Sequence, residues 1–365
     1  MRQHRSRFQG VEDVHGSLLE ALIEGITLAI IALLSIVFNL IGCYIILKNP
    51  SFRTKIHFKL LLSLSLCDLM LAVTGMPLSI VSVFMGSELL WTFQPVCMLS
   101  GFVSCSVLAT STFGLTAISL DRYFAISTPL KYRDYLQSKK INVVIISVWV
   151  LGVIIGLIPF FGWSPYAYNE GSHHCSPQWT SGCGYYTFAA VTVLVIPVCI
   201  MATSYLCIYQ KLKQRFVKAK PGMLRMHPPR GSQFPETSIA NVVDVDDPPT
   251  HVSAWDNSLS TSGNKSSNST TLAGRQRSNQ VKRRICLRTE RKVAITGAIL
   301  ILVYFICWLP YAIVNSCYLS GVDFHRYIRV TATWLLSSNS AVNPIIYTWT
   351  NQQVREKVID LFRKS

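Results

Sequence analysis

Asn343-Pro344-Ile345-Ile346-Tyr347 sets an amide, a helix breaker and a phenol inside an apolar run covering residues 324–348. Groups of this kind are costly at bilayer depth, where hydrocarbon offers backbone and side chains no substitute partner. Six further apolar runs lie upstream, each carrying one residue or a short motif of the same awkward kind. In chain order these are Asn39, Asp68, Asp121-Arg122-Tyr123, Trp149, Pro197 and Cys307-Trp308-Leu309-Pro310. One such motif says little. All of them in this order and at these separations form a specific pattern.

Composition agrees with a chain built for lipid. Half of its residues are hydrophobic and 14% are charged, against about 25% charged in soluble domains. Spans are predicted at 22–48, 57–84, 94–128, 140–161, 186–212, 291–319 and 324–348, each longer than the roughly 20 residues that cross about 30 Å of hydrocarbon. Seven crossings place the termini on opposite sides. Lys48, Arg53, Lys55 and Lys59 follow the first span, and Lys131, Arg133, Lys139 and Lys140 follow the third. Residues 86–96 and 162–185 hold neither Lys nor Arg. The positive-inside rule therefore sets residues 1–21 outside and the C-terminus in the cytosol. A net charge of +16 then reflects loops lying on anionic headgroups rather than nucleic acid.

The polar start of the chain lacks a cleavable signal, so the first span is expected to act as its own anchor. Residues 213–290 form the third cytoplasmic loop, rich in Ser, Thr, Pro, Gly and Asn, with basic ends. Helical extensions around a disordered, phosphorylatable middle are expected there. The sequons at Asn264 and Asn268 fall in this loop and should stay bare. In 349–365, Val354, Val358, Leu361 and Phe362 recur at helical spacing, which predicts a short amphipathic helix at the interface.

Several residues carry chemistry by themselves. Asp68 has no Lys or Arg in a neighbouring span, so a proton or a bound cation must neutralise it. Arg122 has two candidate carboxylates, Asp121 beside it and Glu290; pairing with the latter would latch the third span to the sixth. Pro197, Pro310 and Pro344 each remove an intrahelical hydrogen bond and make a hinge.

Together these motifs resemble the rhodopsin-like (class A) G-protein-coupled receptors over roughly residues 22–363. The resemblance implies an all-α integral membrane fold, a seven-transmembrane helix bundle with a short amphipathic interfacial helix. It implies a plasma-membrane receptor and not an enzyme. The implied partners are a heterotrimeric G protein, arrestin, receptor kinases and the bilayer. It further implies a disulfide between Cys97 and Cys175, with Cys183 as the rival partner and a Cys183–Cys317 bridge as an alternative. A sodium pocket is implied at Asp68, Ser111, Asn339, Ser340 and Asn343, the alternative being a buried hydrogen-bond network around protonated Asp68. Leu130 matches the family's hydrophobic knob for the G protein, and Trp308, Tyr347 and Tyr205 match its switch residues. Thr112 and Tyr304 depart from the usual Ile and Phe, an alteration of packing that would favour basal activity.

The ligand region reads by exclusion. Where amine receptors place an aspartate stands Ser104, and the fifth span offers Ala189, Ala190 and Val193 in place of serines. Where opsins carry the Schiff-base lysine stands Ser337. The remaining lining is Ser104, Leu108, Tyr185, Tyr186, Tyr311, Asn315, Thr333, Trp334 and Ser337, with Arg329 near the rim. It suits a neutral or weakly acidic lipophile. Cys175-Ser-Pro-Gln-Trp179 is similar to a group of amine-like orphan receptors that signal without added ligand through the stimulatory G protein, their second outer loop filling the pocket. An opsin-like or melatonin-like receptor coupled to the inhibitory G protein is the alternative. A transporter would need more intramembrane ionisable groups than Asp68.

Overall fold

The computed structural model describes residues 2–85, 94–128, 132, 138–169, 172–179, 183–219, 292, 294–316, 321–322 and 324–364. The chain forms two units, Met1–Gln214 with Arg288–Ser365, and Arg215–Leu287. The cavity and polar clusters belong to the first unit.

Long helices dominate: α1 (Arg2–Lys48), α2 (Ile56–Met85), α3 (Gln94–Ser127), α4 (Ser138–Leu157), α5 (183–219), α6 (Ala294–Ser316), α7 (Arg326–Thr350) and α8 (Gln352–Lys364). Six of them, α1 to α6, are long and apolar enough to cross a bilayer. α7 is long enough at 25 residues but polar along one side, so its motif identifies it where hydropathy alone does not. α1 starts at Arg2, making the segment before residue 22 continuous with the first predicted span. Glu290, Leu130, Cys317 and the sequons lie outside the described residues, as does any Cys183–Cys317 bridge.

Polarity is inverted relative to a soluble bundle. Leu33, Leu40, Val143, Ile146, Leu206 and Leu302 are exposed, while Ser35, Asn39, Asp68, Thr112 and Asn343 are buried. Lipid can cover the first set, and the second must find partners within the protein. α3 shows how. Its buried hydroxyls bond back to their own helix: Thr110 to the Ser106 carbonyl at 2.8 Å, Thr116 to Thr112 at 2.9 Å and Ser119 to Leu115 at 2.8 Å.

α5 is interrupted by a π-helical turn, Ala190–Val195, immediately before Pro197. Pro77 lies inside α2 and Pro344 inside α7; the motif pattern does not point to Pro77. After α4, a hairpin of β1 (Tyr166–Asn169) and β2 (His174–Pro177) pairs Tyr166 with Pro177 and Asn169 with His174. Its turn holds His173 at φ 51, a left-handed conformation that His tolerates better than most non-Gly residues. The Cys97–Cys175 disulfide pins β2 to the start of α3, which excludes Cys183 as the partner of Cys97. At the far end, Asn351 Oδ1 accepts from the N–H groups of Gln353 (3.1 Å) and Val354 (3.4 Å), capping α8. Val354 is buried and Val358 packs against the same core, whereas Phe362, expected on that apolar face, is exposed.

Candidate functional site

A cavity of about 160 Å³ lies between the helices beneath β2. Seven of the residues read as its lining are there: Ser104, Leu108, Tyr186, Tyr311, Thr333, Trp334 and Ser337. Ala189, Ala190 and Val193 line it from α5, so among the described residues no serine faces it from that helix. His174 to Pro177 and Trp179 form its cover and Trp308 lines it from α6. Trp179 is the contact point of the cover. Its Nε1 donates to Tyr311 Oη at 3.3 Å, and its ring stacks on Tyr185 at 5.9 Å and meets Tyr186 edge-on at 5.6 Å. Tyr186 in turn donates to the Ala312 carbonyl at 2.9 Å and bonds Ser316, joining α5 to α6.

Three expected lining residues are elsewhere. Tyr185 is fully buried toward α4, donating to the Ile155 carbonyl at 3.1 Å. Successive helical residues point about 100° apart, and the rotation of α5 turns Tyr186 to the cavity and Tyr185 to α4. Asn315 spends its amide on the Tyr311 carbonyl one turn back, at 2.8 Å. Arg329 lies off the face of α7 that Val330, Thr333, Trp334 and Ser337 present.

The cavity also has a wall that sequence reasoning missed. Glu24 of α1 lines it and is buried. Its two oxygens accept from Arg326 Nη2 of α7, each at 2.9 Å, and His173 Nε2 of the hairpin turn is 3.2 Å away. Arg326 reaches Glu20 as well at 3.4 Å, and Tyr327 donates to Glu20. His173 Nδ1 lies 3.0 Å from Tyr168 Oη, and its carbonyl accepts from Ser82 of α2 at 3.1 Å. The cover is thus tied to α1, α2, α3 and α7. Asp68 is therefore not the lone carboxylate inside the predicted spans. Beside this cluster, burial lowers the His174 imidazole pKa to about 4, keeping the ring neutral.

Below the cavity runs a polar core. Asn343 Nδ2 donates to Asp68 Oδ2 at 3.1 Å, and Ser340 stands beside the same carboxylate. Asn39 of α1 donates to the Ser340 carbonyl at 2.9 Å, and Trp149 of α4 to Ser63 at 2.9 Å. Tyr347 Oη meets Ser65 Oγ at 2.9 Å and lies so close to Gly42 that a Cβ there would collide with it. Among the described residues, Ser111 Oγ, Asn339 Oδ1 and Asn343 Oδ1 are buried acceptors without a hydrogen-bond partner. Buried oxygen acceptors are the ligand type a hard monovalent cation takes.

At the opposite end, Arg122 pairs with Asp121, one of its two candidate partners. Tyr132 donates to the other Asp121 oxygen at 2.6 Å, and burial, then the Asp121 charge, raises that phenol's pKa. Ala294 of α6 packs with Ile126 of α3 and Ile208 and Leu212 of α5, flanked by Tyr123 and Tyr205, so the helices are closed together here. The Tyr205 hydroxyl abuts Gly297, where any side chain would collide.

This geometry can hold a ligand or a loop at one end and rearrange helices at the other; among the described residues it contains no bond-making apparatus. The family model for the seven-transmembrane receptors of the rhodopsin family matches residues 38–347. The chain is 28% identical over 313 residues to the probable G-protein coupled receptor No18 of Amphibalanus amphitrite, covering 82% of this chain and 79% of that one. It is 29% identical over 330 residues to the 5-hydroxytryptamine receptor 5A of Rattus norvegicus, covering 89% and 83%. The crystal structure of squid rhodopsin is similar with a TM-score of 0.72 over 94% of this chain and 86% of that one, at 19% identity, a likeness of fold.

Proposed function

The chain belongs to the rhodopsin family of seven-transmembrane receptors and is a receptor rather than an enzyme; on that premise we propose that it is a plasma-membrane receptor with its Cys97 end outside and its Arg122 end in the cytosol. An outer signal, a small lipophile or the chain's own second outer loop, shifts a two-state equilibrium of α5 to α7. The shifted state opens the Arg122 end to a heterotrimeric G protein and raises cyclic AMP. Arrestin and receptor kinases would act at the same end.

One observation carries this reading. The loop residue Trp179 reaches into the bundle to Tyr311 of α6, three residues from Trp308, while the Arg122 end of α6 is packed shut. A covered cavity at one end and a closed crevice at the other are the two sites a transducer needs. The second reading, a neutral lipophile acting through the inhibitory G protein, is favoured by the mostly apolar lining. Sodium held by Asp68, Ser111, Asn339, Ser340 and Asn343 would supply the positive charge that the buried carboxylate lacks, and the unpartnered oxygens support it.

The test is cyclic AMP in ligand-free cells, titrated against surface level, with Arg122→Ala beside it. A rise that tracks expression and vanishes in the variant is expected. No rise, together with no loss of forskolin-raised cyclic AMP, would refute self-activation through either pathway.

A further inference from the structure

α4 ends on two carbonyls that its own backbone does not serve. Pro159 carries no N–H for the Ile155 carbonyl four residues earlier. The chain then tightens into a 3₁₀ turn, Ile158–Phe161, in which N–H groups bond three residues back. The Phe160 N–H therefore serves Leu157 and leaves the Gly156 carbonyl open. Ile155 and Gly156 are both buried, so each carbonyl needs a partner within the protein. Two phenols from other elements supply it. Tyr185 of α5 donates to Ile155 at 3.1 Å, and Tyr166 of β1 donates to Gly156 at 2.8 Å. The Cys105 thiol of α3, 3.6 Å from Tyr185 Oη, donates to that oxygen, whose own proton is already committed to Ile155.

Both tyrosines bear on Trp179. The Tyr185 ring, held by its hydroxyl, is the face on which the indole stacks, with the two planes 7° apart. Tyr166 pairs in register with Pro177, two residues before Trp179. The base of the hairpin is closed beside them, where the Gln178 N–H donates to the Pro165 carbonyl at 3.0 Å and Ser164 Oγ to the Gln178 carbonyl at 2.7 Å. A Cβ at Gly101 of α3 would collide with the Tyr166 ring, so the hairpin sits directly on that helix. We propose that Tyr166 and Tyr185 are positioning residues: docked on the carbonyls left open at the end of α4, their hydroxyls hold Trp179 of the cover against Tyr311 of α6 and so set how strongly the loop signals without ligand. The fixed point is the end of α4, and Trp179 is the moving part it aligns. This also gives a reason for Tyr185 to be buried away from the cavity.

The inference rests on the loop reading of the proposed function, and two readouts keep the failures apart. The full chain in nanodiscs carries fluorotryptophan, with the Trp179 resonance identified by Trp179→Phe. Ligand-free nucleotide exchange on added G proteins is measured per folded receptor. Tyr185→Phe and Tyr166→Phe each remove one oxygen and keep the ring. Each should shift the Trp179 resonance and lower the exchange rate about fivefold, and the double variant should fall no lower than Trp179→Ala. A merely structural role would lower thermal stability with resonance and exchange unmoved, which overturns the proposal. A fall in exchange with the resonance unmoved overturns it too, because the phenols would then act by a route that bypasses Trp179. If the resonance shifts in both variants while exchange is the same in every form, Trp179→Ala and Arg122→Ala included, the seat stands and the loop reading fails.

Discussion

Replacing Glu24 with Gln tests whether the cavity cover is held by charge. The side chain keeps its shape and loses its anion. In the native chain the carboxylate accepts twice from Arg326 at 2.9 Å and has His173 at 3.2 Å, with its own side chain 4% exposed. Removing one partner of a fully buried pair costs about 3–5 kcal/mol. Arg326 is 39% exposed and has Glu20 in reach at 3.4 Å, so much of its charge is already screened. A loss of about 1–2 kcal/mol is expected, or a fall in Tm of about 2–8 °C at about 2–4 °C per kcal/mol. Thermal unfolding of the purified receptor with a thiol-reactive dye reads the Tm, and amide exchange over 166–177 reads the cover. Glu20→Gln is the control, because both partners of that pair are more than a third exposed and the loss should stay under about 1 kcal/mol. Equal effects of the two substitutions, or a lower Tm with unchanged exchange in the hairpin, would refute the idea that Glu24 anchors the cover.

Three other outcomes follow from the same geometry. Cys175→Ser opens a link spanning 78 residues and should cost about 2–4 kcal/mol with loss of hairpin protection; an unchanged Tm would count against it. Sodium in place of choline should raise the Tm, by about 1.4 kcal/mol of stability at ten times its Kd, and Asp68→Asn should abolish the difference, whereas an equal Tm in both salts removes the sodium pocket. For His174, burial sets the folded pKa at about 4 against an ordinary 6.5. Between those values a displaced hairpin binds a proton that the docked one does not, so docking weakens as pH falls from 6.5 to 4 and is intact above 6.5. Amide exchange across β2 should quicken in that window, and His174→Phe should flatten the change.

Legibility in the sequence followed the range of the interaction. Asp121 and Arg122 are neighbours in the chain, and their pairing needs nothing further. The Asp68–Asn343 bond spans 275 positions, yet both residues stand out because a polar group inside an apolar run announces itself. Glu24 does not. It sits near the end of its span, where a carboxylate reads as an interfacial residue, and its partner Arg326 lies 302 positions away at the start of a helix. Nor could spacing decide between Tyr185 and Tyr186, because that choice depends on the rotation of α5 about its axis.

The amino-acid sequence by itself determined the seven crossings, their order, the hinge prolines and the polar residues placed at bilayer depth. These follow from the solvent, which penalises each polar group one residue at a time. Only the tertiary structure decided how far the hairpin reaches into the bundle, that Glu24 and Arg326 close the cavity wall, and that Tyr304 of α6 reaches the Val193 carbonyl of α5. Such contacts depend on helix phase, tilt and a π-helical turn. Those are set by the mutual packing of several helices, and no single stretch of chain encodes them.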